Sequence, residues 1–281
     1  MSEVMTVSES GTGTRIASYR PRPGGRSESL GVFGALMARD LFVTVRELPS
    51  FMVQVILQPL FMLFIFGVVL RGLDLVTPEL VRILLPGVVS MTIFQTAVQN
   101  TALPLAVDFA ATREIEDRLL APISVTAVGI EKVVFGAMRG LIAGVVMVPI
   151  GLLMLGGHWP LAAWPAVIVI CILGALSGGA LGLVIGTSVP ARHIGVVFAA
   201  VLLPLMFTGA AQYPFFGLAK LRWFQVVVAL NPMTYVSEGM RWLVLPGRHS
   251  IPLWIDLTVL IVATAGLLVL GTSGFHRKSQ D

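Results

Sequence analysis

The sequence predicts an all-α membrane protein. Three observations carry this. Six long apolar stretches alternate with short polar breaks; 56% of the 281 residues are hydrophobic and only 12% charged; and the mean hydropathy is +0.90. A helix needs about 20 predominantly apolar residues to cross roughly 30 Å of hydrocarbon. A soluble core of this size does not require such a surplus of apolar residues.

Residues 1–29 are rich in Ser, Gly, Thr and Pro. They lack an apolar run of signal-peptide length and read as a disordered cytoplasmic tail. From 30 to 48, Leu30, Phe33, Met37, Leu41 and Val45 recur at helical spacing, with Arg39, Asp40 and Arg46 off that line. This predicts an amphipathic helix in the membrane interface, or else a cytoplasmic extension of the first span. The spans themselves are expected near 50–70, 84–107, 133–155, 163–187, 194–211 and 252–273, with residues 30–281 forming one six-span domain. An even number of spans puts both termini on one side. Thirteen of the nineteen Lys and Arg residues then lie on that side, in the N-terminal segment, the second and fourth loops and the C-terminus. Short cytoplasmic segments carry such an excess, so both termini are expected in the cytoplasm of a multi-pass protein.

Within the spans, Gly136, Gly140 and Gly144 repeat every fourth residue, as do Gly174, Gly178, Gly182 and Gly186. Rows of this kind let helix backbones approach closely. They predict that the third and fourth spans pack tightly against each other or against a partner, with a sliding surface as the functional alternative. Polar residues also align: Gln54 with Gln58 on the first span, and Thr92 with Gln95 and Gln99 on the second. Facing lipid would be costly, so both sets are expected to turn inward. There they either line a substrate path or hydrogen-bond between helices. Arg139 is deep enough to need snorkelling or a partner. Cys171 stands alone, and the four histidines are far apart in sequence, without metal-ligand spacing.

Two loops carry the densest information. Between the second and third spans, Arg113, Glu114, Ile115, Glu116, Asp117, Arg118, Leu119 and Leu120 pair charges at i, i+4 around an apolar strip, and Pro122 closes the segment. This is a short amphipathic helix near 113–121, read either as a docking surface for a soluble partner or as a solvated turn. After the fifth span, residues 212–247 are too apolar for open water and too broken for a crossing. They predict an outer re-entrant helical hairpin. Asn231 and Pro232 supply a cap and a first-turn proline for a helix running through Tyr235, Glu238 and Arg241 to Val244, ended by Pro246 and Gly247. Glu238 and Arg241 form an ordinary i, i+3 pair or take part in gating.

The segments 113–122 and 231–243 resemble the permeases of type-2 ABC transporters, nearest to the daunorubicin-resistance-type drug exporters of actinobacteria. The resemblance covers the chain from about Leu30. It implies a half-transporter in a bacterial inner membrane: two permeases, identical or related, with two cytoplasmic ATPase subunits that dock on residues 113–120. The cargo would be an amphipathic drug or lipid-like molecule, with a polysaccharide or glycolipid as the alternative. The sequence contains no G-x-x-x-x-G-K-[ST] run to cradle phosphates. ATP and Mg would therefore belong to the partner, and this chain would hold no cofactor, metal or catalytic residue and bind no nucleic acid. A membrane-embedded lipid-modifying enzyme would need an acid, a base and metal ligands at the interface, and the acidic loop lacks that spacing. A channel would need a filter, and no ring of charges or carbonyl loop is evident.

Overall fold

Backbone amides in hydrocarbon are satisfied within helices or closed barrels. The computed structural model takes the helical solution throughout the residues it describes, which are 34, 46, 48–109, 125–155, 158–245, 247 and 251–278. Helix α1 is Leu48–Gly72, with a π-helical segment at Ile65–Val69. Then follow α2 Pro78–Val107, α3 Val125–Leu155, α4 Trp164–Ser188 and α5 Ile194–Thr208. A 3-10 turn at Phe215–Lys220 leads to α6 Arg222–Ala229, α7 Pro232–Val244 and α8 Leu253–Lys278. The interfacial helix near 30–48 lies outside the described residues apart from Gly34, Arg46 and Leu48, as do residues 1–29 and the whole of 113–121.

Among the described residues, five helices (α1, α2, α3, α4 with its preceding 3-10 turn, and α8) are long and apolar enough to cross a bilayer. The expected fifth span, 194–211, falls short of this. Helix α5 has 15 residues, about 22 Å at 1.5 Å each, less than the roughly 30 Å of hydrocarbon. It stops because Thr208 is followed by Gly209 and then by Ala210, which adopts a positive φ of 51°. Two other helices start earlier than hydropathy suggested. Helix α2 begins at Pro78 behind a Thr77 cap that accepts from Leu80 N–H, and α3 begins at Val125. Their opening two turns, with Glu79 and Arg82 in α2 and Glu131 and Lys132 in α3, are helical although they are not uniformly apolar.

Helix α2 occupies the centre. In its most apolar stretch 83% of residues are buried, against 17% for α1 and for α8, which form the outer layer. The glycine rows explain how α2 is enclosed. A Cβ at Gly140 would sit 2.5 Å from Ile93 O, and one at Gly136 would meet Thr101 Oγ1 at 2.0 Å. On α4, Cβ atoms at Gly178 and Gly182 would lie 2.5 Å from Phe94 O and 2.6 Å from Val98 O. Both rows close on α2, one from each side, rather than principally on each other. Further out on α4, Gly174 receives Val236 of α7 instead.

The two ends of the bundle differ. At the end where α2 stops and α3 starts, Phe109 packs edge-to-face on Phe275 with centroids 5.2 Å apart, and Thr126 Oγ1 meets His276 Nε2 at 2.9 Å. At the opposite end, the segment from Gly209 to Leu245 folds over α2. Gly87 is the contact there, since a Cβ would lie 1.9 Å from Ala211 O and 2.6 Å from Arg241 Nη2.

Substituting Gly140→Val or Gly178→Val places side-chain atoms against a backbone carbonyl that cannot rotate away. We expect a loss of about 3 kcal/mol, read as a lowered Tm in detergent. Gly195→Ala, where nothing lies within 4 Å of the new methyl, should leave Tm unchanged or slightly raised.

Candidate functional site

The hairpin helix α7 presents a polar face that is almost wholly buried, including Asn231, Thr234, Ser237, Glu238 and Arg241. Local sequence starts it: the Asn231 side-chain oxygen accepts from Met233 N–H at 2.9 Å, and Pro232 occupies the first turn, where no amide is needed. The same carboxamide also reaches across the fold. Asn231 Nδ2 donates to Leu205 O at 2.7 Å and to Thr208 Oγ1 at 3.0 Å. Thr234 Oγ1 donates to Thr208 O (3.2 Å) and Val228 O (2.6 Å), and Ser237 Oγ donates to Gly209 O (3.0 Å). Carbonyls at the C-terminal end of a helix have no partner within it. Here the end of the short helix α5 is satisfied by side chains of α7. Tyr235 OH donates to Ala229 O at 2.7 Å and ties α7 to α6.

Glu238 and Arg241 are 5% and 4% exposed, so this i, i+3 pair is an interior one. Arg241 Nη1 donates to Glu238 Oε1 at 2.8 Å, Nη2 to Ala211 O at 2.9 Å and Nε to Ile83 O at 3.2 Å. Glu238 Oε1 also accepts from Phe215 N–H at 3.0 Å. One guanidinium thus joins α7, the turn after α5, and α2 within four residues of Pro86. Ser90 of α2 adds a contact to Val236 O at 3.3 Å.

The five residues expected on a substrate path are not brought together. Gln54 and Gln58 lie on the exposed side of α1, and Gln58 Nε2 approaches Met206 Sδ at 3.3 Å. This corrects the expectation that they turn inward within one chain: α1 is an outer helix, so its polar edge faces away from this chain's own core. Thr92 is buried, and its hydroxyl is taken by Val88 O of its own helix at 2.8 Å. Gln95 and Gln99 are half-buried. Arg139 has partners instead of snorkelling: Nη1 donates to Asn100 Oδ1 at 2.7 Å, and the guanidinium lies 4.5 Å from the centre of the Phe51 ring. Sequence reasoning did not single out Asn100, although its position next to Gln99 on a polar edge was a usable signal.

Of the expected docking stretch 113–120 nothing is described, but its two anchors are. Asp108 follows α2, and Glu131 and Lys132 lie in the second turn of α3. Lys132 Nζ stands 3.9 Å from Asp108 Oδ2 and 3.9 Å from Glu131 Oε2. All three side chains are largely withdrawn from solvent, and Thr101 Oγ1 donates to Lys132 O at 3.4 Å. A buried cation between two carboxylates holds the ends of α2 and α3 at a set spacing. Hydropathy placed these residues near span ends but gave no sign of their burial.

Five helices among the described residues that are long and apolar enough to cross a bilayer, an apolar outer layer and polar clusters confined largely to the two ends define a multi-pass integral membrane protein. Comparison with known proteins narrows the class. Residues 31–245 match the family described as ABC-2 type transporter, and the chain belongs to that family. It is 31% identical over 218 residues to ycf38 of Porphyra purpurea, named as a transport permease, covering 74% of this chain and 72% of that one. It is 27% identical over 232 residues to the inner membrane transport permease YadH of Escherichia coli K12, covering 78% and 88%. The chain is therefore a membrane subunit of an ABC transporter.

The interior pair generates a prediction. Arg241→Met strands the Glu238 carboxylate and the carbonyl oxygens of Ala211 and Ile83, and should cost about 3–5 kcal/mol. Glu238→Gln keeps an acceptor for Arg241 and Phe215 N–H and should cost clearly less. Melting of the two purified variants in the same detergent gives the comparison.

Proposed function

We propose that the chain is the permease half of an exporter that moves an amphipathic drug or lipid-like molecule out of the cytoplasm or inner leaflet of a bacterial inner membrane, with both termini cytoplasmic, an orientation in which the short apolar helix α5 makes the sixth crossing. The assembly we infer contains two permeases, identical or related, and two separate ATPase subunits that hold ATP and Mg. Family membership supports a transport role. The absence of a phosphate-cradling motif from the sequence supports a separate ATPase. The exposed edge of α1, with Val53, Gln54, Leu57, Gln58 and Phe61, suits contact with a second permease or the path between two.

The observation that carries the mechanism is the span of α2. This 30-residue helix, about 45 Å long at 1.5 Å per residue, runs from the anchors of segment 113–120 to the Arg241 contact beneath the hairpin. A force applied by the ATPases at that segment would reach Asp108 and Lys132 first. Rows of glycine on both flanks of α2 permit small axial shifts without prying side chains apart. Movement of Ile83 would then carry Arg241 and the hairpin. ATP binding favours one packing only if docking is stronger in that packing than in the other. Gly136, Gly140, Gly144, Gly174, Gly178, Gly182 and Gly186 would serve as packing and guide positions.

Charge reversal at the docking stretch tests this reading. Glu116→Lys or Arg118→Glu should abolish ATP-dependent efflux of an amphipathic dye from proteoliposomes holding the co-purified complex, with membrane insertion and Tm unaltered. Unchanged efflux would overturn the docking role. Purification of the tagged chain from its own membranes without any ATPase would overturn the subunit reading.

A further inference from the structure

At the hairpin end of the bundle, beside the Arg241 cluster, lie two adjoining cavities of about 510 and 390 Å³ that share Pro78, Arg82 and Leu245. The larger is charge-balanced: its described lining carries Glu79 and Glu238 together with Arg82 and Arg241, and Glu238 is paired with Arg241. The smaller is not. Its lining includes Arg71, Arg82 and His158 and, among the described residues, no acidic side chain. Arg71 and Arg82 are exposed and form no ion pair among the described residues. The rest of the lining is largely apolar and includes Leu85, Leu152 and Leu155.

Depth in the membrane follows from the elements. Arg71 ends α1, Arg82 lies in the second turn of α2, and His158 follows α3, so all three sit where crossing helices reach the headgroup region. Trp159, which also lines this cavity, lies 6.0 Å from the ring of Trp164. Tryptophans concentrate at that depth, where an amphipathic ring meets both water and hydrocarbon. A volume of about 390 Å³ is within the usual range for small-molecule sites.

We propose that this cavity binds an anionic glycerophospholipid of the leaflet on the hairpin side, its phosphate held between Arg71 and Arg82 and the start of its acyl chains against Leu152 and Leu155. Guanidinium groups fit phosphate oxygens in a fork geometry that a lone ammonium lacks. A pocket whose described lining holds two exposed arginines and no acidic side chain, at headgroup depth, selects negative charge, and its leucines select a lipid over a free anion. The bound lipid bridges α1, α2 and α3 beside the hairpin, and so favours the packing in which this cavity is open. The inference rests on the membrane-spanning reading and not on ATP coupling.

Lipid retention by the purified full chain, measured by native mass spectrometry without nucleotide, separates this proposal from the transport reading. The wild-type chain in mixed micelles should retain phosphatidylglycerol over phosphatidylcholine by at least about tenfold. Arg71→Gln with Arg82→Gln should remove that preference at unchanged Tm, and Arg71→Lys with Arg82→Lys should restore it in part. Equal retention of the two lipids by wild type, or retention indifferent to the Gln variants, overturns the proposal. Displacement of the lipid by millimolar inorganic phosphate would show a free-anion site and overturn the lipid assignment. Because no nucleotide or ATPase is present, failure here says nothing against export, and loss of export says nothing against this site.

Discussion

The rest of the fold depends on the approach of α3 and α4 to the backbone of α2. Lipid tails are as apolar as leucine, so helices in a membrane associate through van der Waals contact and hydrogen bonds rather than by exclusion from water. Contact of that kind is greatest where no Cβ intervenes. Gly140 lies against Ile93 O, Gly178 against Phe94 O, and Gly182 and Gly186 against Val98 O and Ala102 O. Once gripped on two flanks, α2 is sheltered from lipid along most of its length. It can then carry Ser90, Thr92, Thr96 and Thr101 in the interior, where the hydroxyls of Ser90 and Thr92 are absorbed by carbonyls one turn back.

That enclosure leaves charge mainly to the ends, and the two ends solve the problem differently. At one, Lys132 sits between Asp108 and Glu131 and spaces two helices. At the other, Arg241 is the hub, with one carboxylate and two carbonyls around it. Each cluster would be destabilising if half-built, since an unpaired buried charge costs several kcal/mol. Together they tie both ends of α2 to their neighbours. The short helix α5 shows the same economy of partners: its C-terminal carbonyls would be orphaned in an apolar surrounding, and α7 supplies Asn231, Thr234 and Ser237 to meet them.

These features give α2 a mechanical meaning in the proposed transporter. Its ends are the two charged clusters, and the faces of α3 and α4 that pack on it carry rows of glycine. Displacement along the axis therefore breaks few interlocked side-chain contacts, whereas tilting would break many. Docking at one end and release at the other can be linked through a single element with two packings. The lipid cavity beside Arg82 adds a point at which the surrounding bilayer weights one of those packings.

Much of this was written in local sequence. Apolar run length set the helical class. The four-residue recurrence of glycine marked close-approach surfaces, and Asn231 with Pro232 marked the start of α7, because caps and helical periodicity involve neighbours within one turn. Other features depended on residues far apart in the chain. That both glycine rows close on α2 could not be read, since a smooth face does not name its partner. The burial of Glu238 with Arg241 required Ile83 and Ala211 to arrive from 158 and 30 residues away, and the pairing of Arg139 with Asn100 spans 39 residues. The outward placement of Gln54 and Gln58 followed from α1 becoming an outer helix. The shortness of α5 followed from a turn at Gly209 and Ala210 that α7 holds in place. Sequence determined which segments are helices and which faces are smooth or polar, because those depend on local backbone and side-chain chemistry. The tertiary structure alone decided which helix lies at the centre and which charges are buried, because both depend on packing between distant segments.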